Sequence, residues 1–365
     1  MRLPFLLSCG LILGSESSLW AQNEAIAELP TDTTAQLTLG LHLQPYFRWS
    51  NEKRIPGGLE FYNFDRYNSF SVNSAVIRLD YTSQKVRSSL GLVSGSYAAK
   101  NYVQEPAGLQ NIYEASVGLK LSKKQDWWLD IGVLPGHLGW ESVYGMNNFN
   151  LSRSFYSEYT PYYQTGARLS HTSPSGRWSW SVLALNGWQR ISVPDSLTEY
   201  GLGTTLGWKW NPRWKVHFNT YYGRTRYDYL HYRNNYEDRL DAEFWVQGNI
   251  HPNWEFIAGA GAGMVTDGLQ QVHLTVQSRW VLNERWMINA RLERFGTNYV
   301  LWDPSEYAEP STIGLSMGLD HRINPNLWGR FEYRLNMIEG RPDDVHGLIY
   351  SLEFNLDKNL FRSGK

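Results

Sequence analysis

Few residue sets in this chain could do chemistry, and local context argues against most of them. Ser170 stands beside His171 in "RLSHTSPSG", a pairing that nucleophilic hydrolysis would use if both side chains reached one site. The segment reads as a strand, however, and adjacent strand residues point to opposite faces, so the two cannot meet directly. Glu141 and Glu158 could act as the acid and base of a secreted carbohydrate-active β protein, with tryptophan faces to stack sugars. Both lie in one irregular stretch, with no strand to set their separation. The nine histidines are scattered one to a segment, and HExxH, CxxC, P-loop and nucleotide fingerprints are all absent. No catalytic residue, metal or cofactor is expected.

A larger array of charge remains. Asp241, Glu243, Arg279, Arg291, Glu293, Arg330, Glu332, Arg334 and Glu353 all fall on one parity of segments whose other parity is apolar. Such a ladder can line a solvated channel or close into a salt-bridge network that plugs a narrow barrel. Its position depends on the strands that carry it.

From residue 34 onward, apolar and polar residues alternate with period two, the mark of strands with one oily and one wet face. Leu37, Leu39, Leu41 and Leu43 interleave with Thr38, Gly40, His42 and Gln44. No amphipathic helix stands out, and no segment beyond the N-terminus is apolar for 18 residues, so transmembrane helices are excluded. Cutting at turn signals predicts sixteen strands over 34–49, 68–83, 85–98, 111–123, 126–135, 162–172, 177–188, 198–210, 213–226, 236–250, 253–266, 268–282, 285–297, 310–323, 327–339 and 345–357. Short turns alternate with mostly longer loops, except at Asp267, where a long connection is due and a short one stands.

Even-numbered strands of about 10–15 residues, joined alternately by short turns and long loops, predict an all-β fold: a transmembrane antiparallel up-and-down β-barrel with periplasmic turns and external loops. Strands of a soluble sandwich stop at about 5–6 residues. A propeller would need four short strands per repeat of about 40 residues, where this chain has two long ones. About eight strands would give a filled barrel, whereas sixteen leave an aqueous channel. The charged ladder is then expected to line the pore.

Tryptophan supports the same reading. Of the 17 in the chain, Trp208, Trp210, Trp214, Trp254, Trp280 and Trp286 flank short turns on the oily parity, where an indole suits an aromatic girdle between hydrocarbon and headgroups. Trp328 breaks the pattern by falling on the polar parity, which predicts a bulge or a misplaced boundary. The longest loop, 135–161, carries Glu141, Arg153 and Glu158 and is expected to fold inward and constrict the lumen, by analogy with the long third loop of general porins.

Residues 1–21 read as a signal peptide cut after Ala21, and 22–33 as a periplasmic segment before a barrel spanning 34–361. Cys9 leaves with the signal, so no disulfide framework is expected. With 34 basic and 35 acidic residues the formal charge is −1, which leaves no electrostatic footprint for nucleic acid. The expected partners are outer-membrane lipid and small hydrophilic solutes, with a monomer or a trimer left open.

From Asp130 to Trp188 the pieces "DIGVLPGHLGWES", "NLSRS", "YYQTGARLSH" and "NGW" follow in an order that resembles the OmpL-like β-barrel porins of Gram-negative outer membranes. The resemblance implies passive solute transport and supplies no catalytic residues. Many such barrels end on an aromatic residue, whereas here Phe361 is followed by "RSGK".

Overall fold

The computed structural model describes residues 35–51, 62–193, 199–226, 236–265, 268–297 and 311–362. Sixteen strands run in chain order: β1 (Gln36–Ser50), β2 (Ser69–Thr82), β3 (Val86–Ser94), β4 (Ile112–Lys120), β5 (Asp126–Pro135), β6 (Tyr163–Thr172), β7 (Trp178–Leu185) and β8 (Tyr200–Asn211). There follow β9 (Trp214–Arg226), β10 (Tyr236–His251), β11 (Trp254–Val265), β12 (Gly268–Val281), β13 (Trp286–Thr297), β14 (Thr312–Asn324), β15 (Leu327–Ile338) and β16 (Val345–Arg362). Each strand pairs antiparallel with its sequence neighbours, and β16 closes on β1, so the sheet has no free edge. Closure is what lets strands cross hydrocarbon, because every ladder donor and acceptor is then paired within the wall. No helix among the described residues is long and apolar enough to cross a membrane.

Period-two alternation sorts the side chains as expected. On β13, Ile288 and Leu292 are exposed on the outer face, while Asn289, Arg291 and Glu293 are buried inside. On β14, Ile313, Leu315, Met317 and Leu319 face out, with Thr312, Ser316 and Asp320 inside. Reversing such a strand would put its arginines on the lipid face at about 2–4 kcal/mol each near the midplane.

Three features depart from the sequence reading. β3 stops at Ser94, because Gly95 takes φ 116° and a Cβ there would stand 2.5 Å from the Asn73 carbonyl oxygen. A short helix, α1 (Ser96–Asn101), follows within the loop. β16 continues to Arg362 past a register shift against β1 at Leu37/Thr38, and Phe361 pairs with Leu37. The expected end at 357 came from losing the alternation at that irregularity. Trp328 pairs with Arg322 inside the wall, where the Arg322 guanidinium lies 5.9 Å from its ring centroid. A register shift in β14 between Arg322 and Asn324 lies beside this pair, so the irregularity expected at Trp328 is present on the facing strand. The predicted segments 1–21 and 22–33, and the anomalous connection at Asp267, lie outside the described residues.

Candidate functional site

The connection between β5 and β6 leaves the wall at Pro135, enters the barrel and returns at Tyr163. It contains a single 3₁₀ turn (Gly145–Asn147) and a one-turn helix, α2 (Phe155–Glu158), whose first turn is capped by the Ser154 side chain. Most of its backbone has no ladder partner, and buried peptide groups must be satisfied somewhere. The barrel wall supplies the partners. Glu243 accepts from Gly139 N (2.7 Å), Glu332 from Ser152 N (2.9 Å) and Glu293 from Phe155 N (2.7 Å). Arg330 donates to the carbonyls of Gly145, Asn148 and Phe149, Arg291 to Ser152 O (2.6 Å) and Arg334 to Arg153 O (2.9 Å).

The same wall charges also pair with each other. Arg291 and Arg334 both reach Glu293 at 2.9 Å, Arg330 reaches Asp320 at 2.9 Å, and Arg291 lies 3.6 Å from Glu332 and 3.7 Å from Glu141. Glu353 lies 3.6 Å from Arg330 and accepts a hydrogen bond from Gln44. Arg239 grips Asp241 through two hydrogen bonds and stacks 3.6 Å over Trp188. Arrays this dense are stable only when nearly every charge has both an opposite charge and hydrogen bonds. Here the loop backbone provides many of those bonds.

The structure thus brings together Arg291, Glu293, Arg330, Glu332, Arg334 and Glu353, while Asp241 and Glu243 stand apart on β10. All eight point inward as their parity requires, yet they are buried beneath the loop rather than bare to a water column. Arg279 differs. It pairs with Glu255 at 2.5 Å, lies 4.4 Å over Phe149 and keeps 17% of its side chain exposed. Glu141 and Glu158 hold different hydrogen-bond partners. Glu141 accepts from Ser154 N, Ser154 Oγ and Gln277, whereas Glu158 accepts from Tyr62 N, Asn63 N and Tyr162 Oη and so ties this loop to the one after β1. Arg153 lies 4.2 Å over Tyr162 and donates to Glu141 O. Burial raises the Glu141 carboxyl, but Arg291, Ser154 and Arg153 outweigh it and hold the group below its usual value. Burial lowers the His137 imidazole, which sits between Gln164 Oε1 (2.6 Å) and Thr220 O (2.8 Å).

Aromatic packing fills the space beside the charges. Trp140 enters a cluster with Tyr156, Trp245 and Ile257, and Gly259 leaves room for its indole, since a Cβ there would come within 2.4 Å of the ring. Tyr156 stacks on His273 at 3.4 Å and His217 on Trp245 at 3.7 Å. Across the lumen, Tyr97 and Tyr102 of the loop after β3 pack with Tyr162 and Tyr163, and Tyr102 stacks on Tyr163 at 4.3 Å. Asp320, Glu255, Gln277, His273 and Trp245 share the inward parity and extend the site through side-chain contacts. Nothing in the sequence marks the loop amides and carbonyls that Glu243, Glu293, Glu332, Arg291, Arg330 and Arg334 serve.

The wall from β2 to β5 is different. Arg78 pairs with Asp80 (2.7 Å) and Lys120 with Asp126 (3.2 Å), each side chain about a quarter exposed. Asp130 takes Arg87 at 2.6 Å and Arg168 at 3.1 Å, and Arg87 lies 4.4 Å over the inward Trp128. On the outer surface, Trp208, Trp210, Trp214, Trp254, Trp280 and Trp286 all stand on the outward parity beside the short turns, where Trp254 stacks on Trp280 and Trp286 on His321. His171 faces out between Trp127 and Trp180, while Ser170 faces in. No cluster of metal-ligating side chains occurs among the described residues.

Solved outer-membrane channels share this architecture. The channel DcaP of Acinetobacter baumannii superposes with a TM-score of 0.58 at 8% identity, covering 88% of this chain and 97% of its own. OmpT of Vibrio cholerae gives 0.55 at 9% identity over 90% and 99%, and an anion-selective porin from Comamonas acidovorans 0.54 at 7% over 88% and 100%. At such identities the likeness is one of fold. A comparison with curated proteins returns no match. The family model described as "Putative beta-barrel porin-2, OmpL-like" matches residues 36–348, nearly the whole barrel. The chain therefore belongs to the OmpL-like β-barrel porins, outer-membrane channels for passive diffusion in Gram-negative bacteria.

Proposed function

We propose that this porin passes small hydrophilic solutes through a lumen narrowed by the 136–162 loop, and that the inward charges of β10 and β12–β16 serve chiefly to hold that loop in place. The observation carrying this reading is the set of bonds from Arg291, Arg330 and Arg334 to loop carbonyls and from Glu243, Glu293 and Glu332 to loop amides. Arginines given over to backbone carbonyls are constrained as braces and are only secondarily available to a passing ion. The solute path then favours the opposite side, where Arg78, Asp80, Lys120 and Asp126 retain contact with water. Only small, hydrated solutes fit a passage bounded by packed loops, and nothing in the site orients a substrate for bond breaking. We read the protein as a channel and not an enzyme.

Planar-bilayer recording tests this. Deleting residues 146–154, which removes the Asn148, Phe149 and Ser152 carbonyls braced by Arg330 and Arg291, should raise the unitary conductance. An unchanged conductance in a barrel that still shifts mobility on heating would rule the loop out as the constriction.

A further inference from the structure

The short turns and the long connections differ in charge. The seven short turns contain six basic residues, Lys85, Lys123, Lys124, Arg177, Arg213 and Arg285, against one acid, Glu284. The eight long connections contain sixteen acidic residues against eight basic ones. A net charge near zero hides this polarity. All six turn bases are exposed, so they are not spent on internal pairs in the lumen.

One sector of the basic rim is built differently from the rest. Trp178 stacks on Trp208 (ring centroids 5.4 Å, interplanar 11°), and Trp208 on Trp210 (6.1 Å, 19°), forming a three-indole row on the outer face of β7 and β8. The row is open to the surroundings, with Trp210 64% exposed. Two other outward indoles near the short turns have their N–H taken by protein: Trp254 donates to Ser278 Oγ (2.6 Å) and Trp127 to Gln125 Oε1 (2.8 Å). The three stacked indoles have no such acceptor among the described residues. Arg177 and Arg213 occupy the two turns that flank the row, and neither has a carboxylate partner among the described residues.

We infer that this patch binds the headgroup of an anionic glycerophospholipid from the inner leaflet of the outer membrane. Stacked indoles place apolar rings beside acyl chains while their N–H groups face the ester and phosphate level. Two guanidiniums just beyond them supply the charge and the planar donor fork that suit a phosphate. The acidic composition of the long connections leaves the attraction on the short-turn side. An anionic inner leaflet would then hold the barrel at a fixed depth and rotation.

Native mass spectrometry of the full chain in detergent, titrated with phosphatidylglycerol or phosphatidylcholine, tests the site. Phosphatidylglycerol should be retained preferentially, and Arg177→Gln and Arg213→Gln should each weaken its retention about fivefold, or roughly 25-fold together. The charge-preserving pair Arg177→Lys and Arg213→Lys should keep the preference. Heat-shifted gel mobility confirms that each variant is a folded barrel. Equal retention of the two lipids, or a double glutamine variant that binds phosphatidylglycerol as the parent does, would overturn the proposal. So would a rim that selects an acidic periplasmic protein while showing no lipid preference.

Discussion

The two inner walls of the barrel use the same residue types for different ends. On β13–β15, Arg291, Arg330 and Arg334 are buried against carboxylates and the carbonyls of the inward loop. On β2–β5, Arg78 and Lys120 pair with Asp80 and Asp126 while remaining partly in water. Residue type and parity are alike on both walls. What differs is how the cover is held: on one wall the loop backbone bonds directly to the charges, whereas on the other the loop packs through side chains such as Tyr144, whose ring lies 5.5 Å from the Arg78 guanidinium. An inward charge is therefore a brace or a lining according to what packs over it.

The sharpest way to break this contrast is to remove a brace. Arg330→Met leaves Asp320 and Glu353 without their cation and three loop carbonyls without a donor. A buried pair broken on one side typically costs about 3–5 kcal/mol. Denaturant unfolding in detergent, followed by tryptophan fluorescence, should show a loss of that order; a loss of a few tenths would mean the loop does not depend on Arg330. Next in size is a test of the outer face. Leu292 points out beside the inward Arg291, opposite Val276 and Leu315. Leu292→Arg should destabilise the barrel by about 2–4 kcal/mol in a bilayer, and a neutral result would mean that this flank is not in contact with hydrocarbon.

Acid should loosen the braced wall by a smaller step. The docked loop holds His137 below its ordinary value, so docking is fully supported above a free-histidine pKa of about 6.5 and loses support as pH falls below it. Glu141 is also held low; its contribution persists above the ordinary carboxylate range and is lost only as pH falls through its depressed value. Conductance should therefore rise in two stages on acidification, the first absent in His137→Gln. A flat profile from neutral pH to about pH 4 would contradict the docking role of His137, and a profile that stays flat on further acidification would contradict that of Glu141. The smallest effect belongs to the open wall. Lys120→Gln breaks a 3.2 Å pair that is about a quarter exposed on each side, and should cost less than about 1 kcal/mol. A cost equal to that at Arg330 would erase the distinction between the walls.

The fold was largely legible because hydrocarbon and water impose a period of two on every strand. β5 and β9–β13 fall within a residue or two of the expected bounds, and the outward indoles beside the short turns follow the same parity. The largest errors occur where that period fails: at Gly95, whose positive φ ends β3 early, and near the end of β16, where a register shift obscures the alternation up to Phe361. The site was only half legible. Parity placed Arg291, Glu293, Arg330, Glu332, Arg334 and Glu353 inside, but their partners are mainly backbone amides and carbonyls of residues 139–155. Every residue carries those groups, so no residue type announces them.

Single-channel recording of the triple variant Arg291→Gln, Arg330→Gln, Arg334→Gln tests the central claim most directly. If these arginines brace the loop, unitary conductance should increase, because the lumen opens as the loop leaves the wall. If they only line the water column, the conductance step should stay close to that of the parent while ion selectivity moves toward cations, and that result would contradict the account.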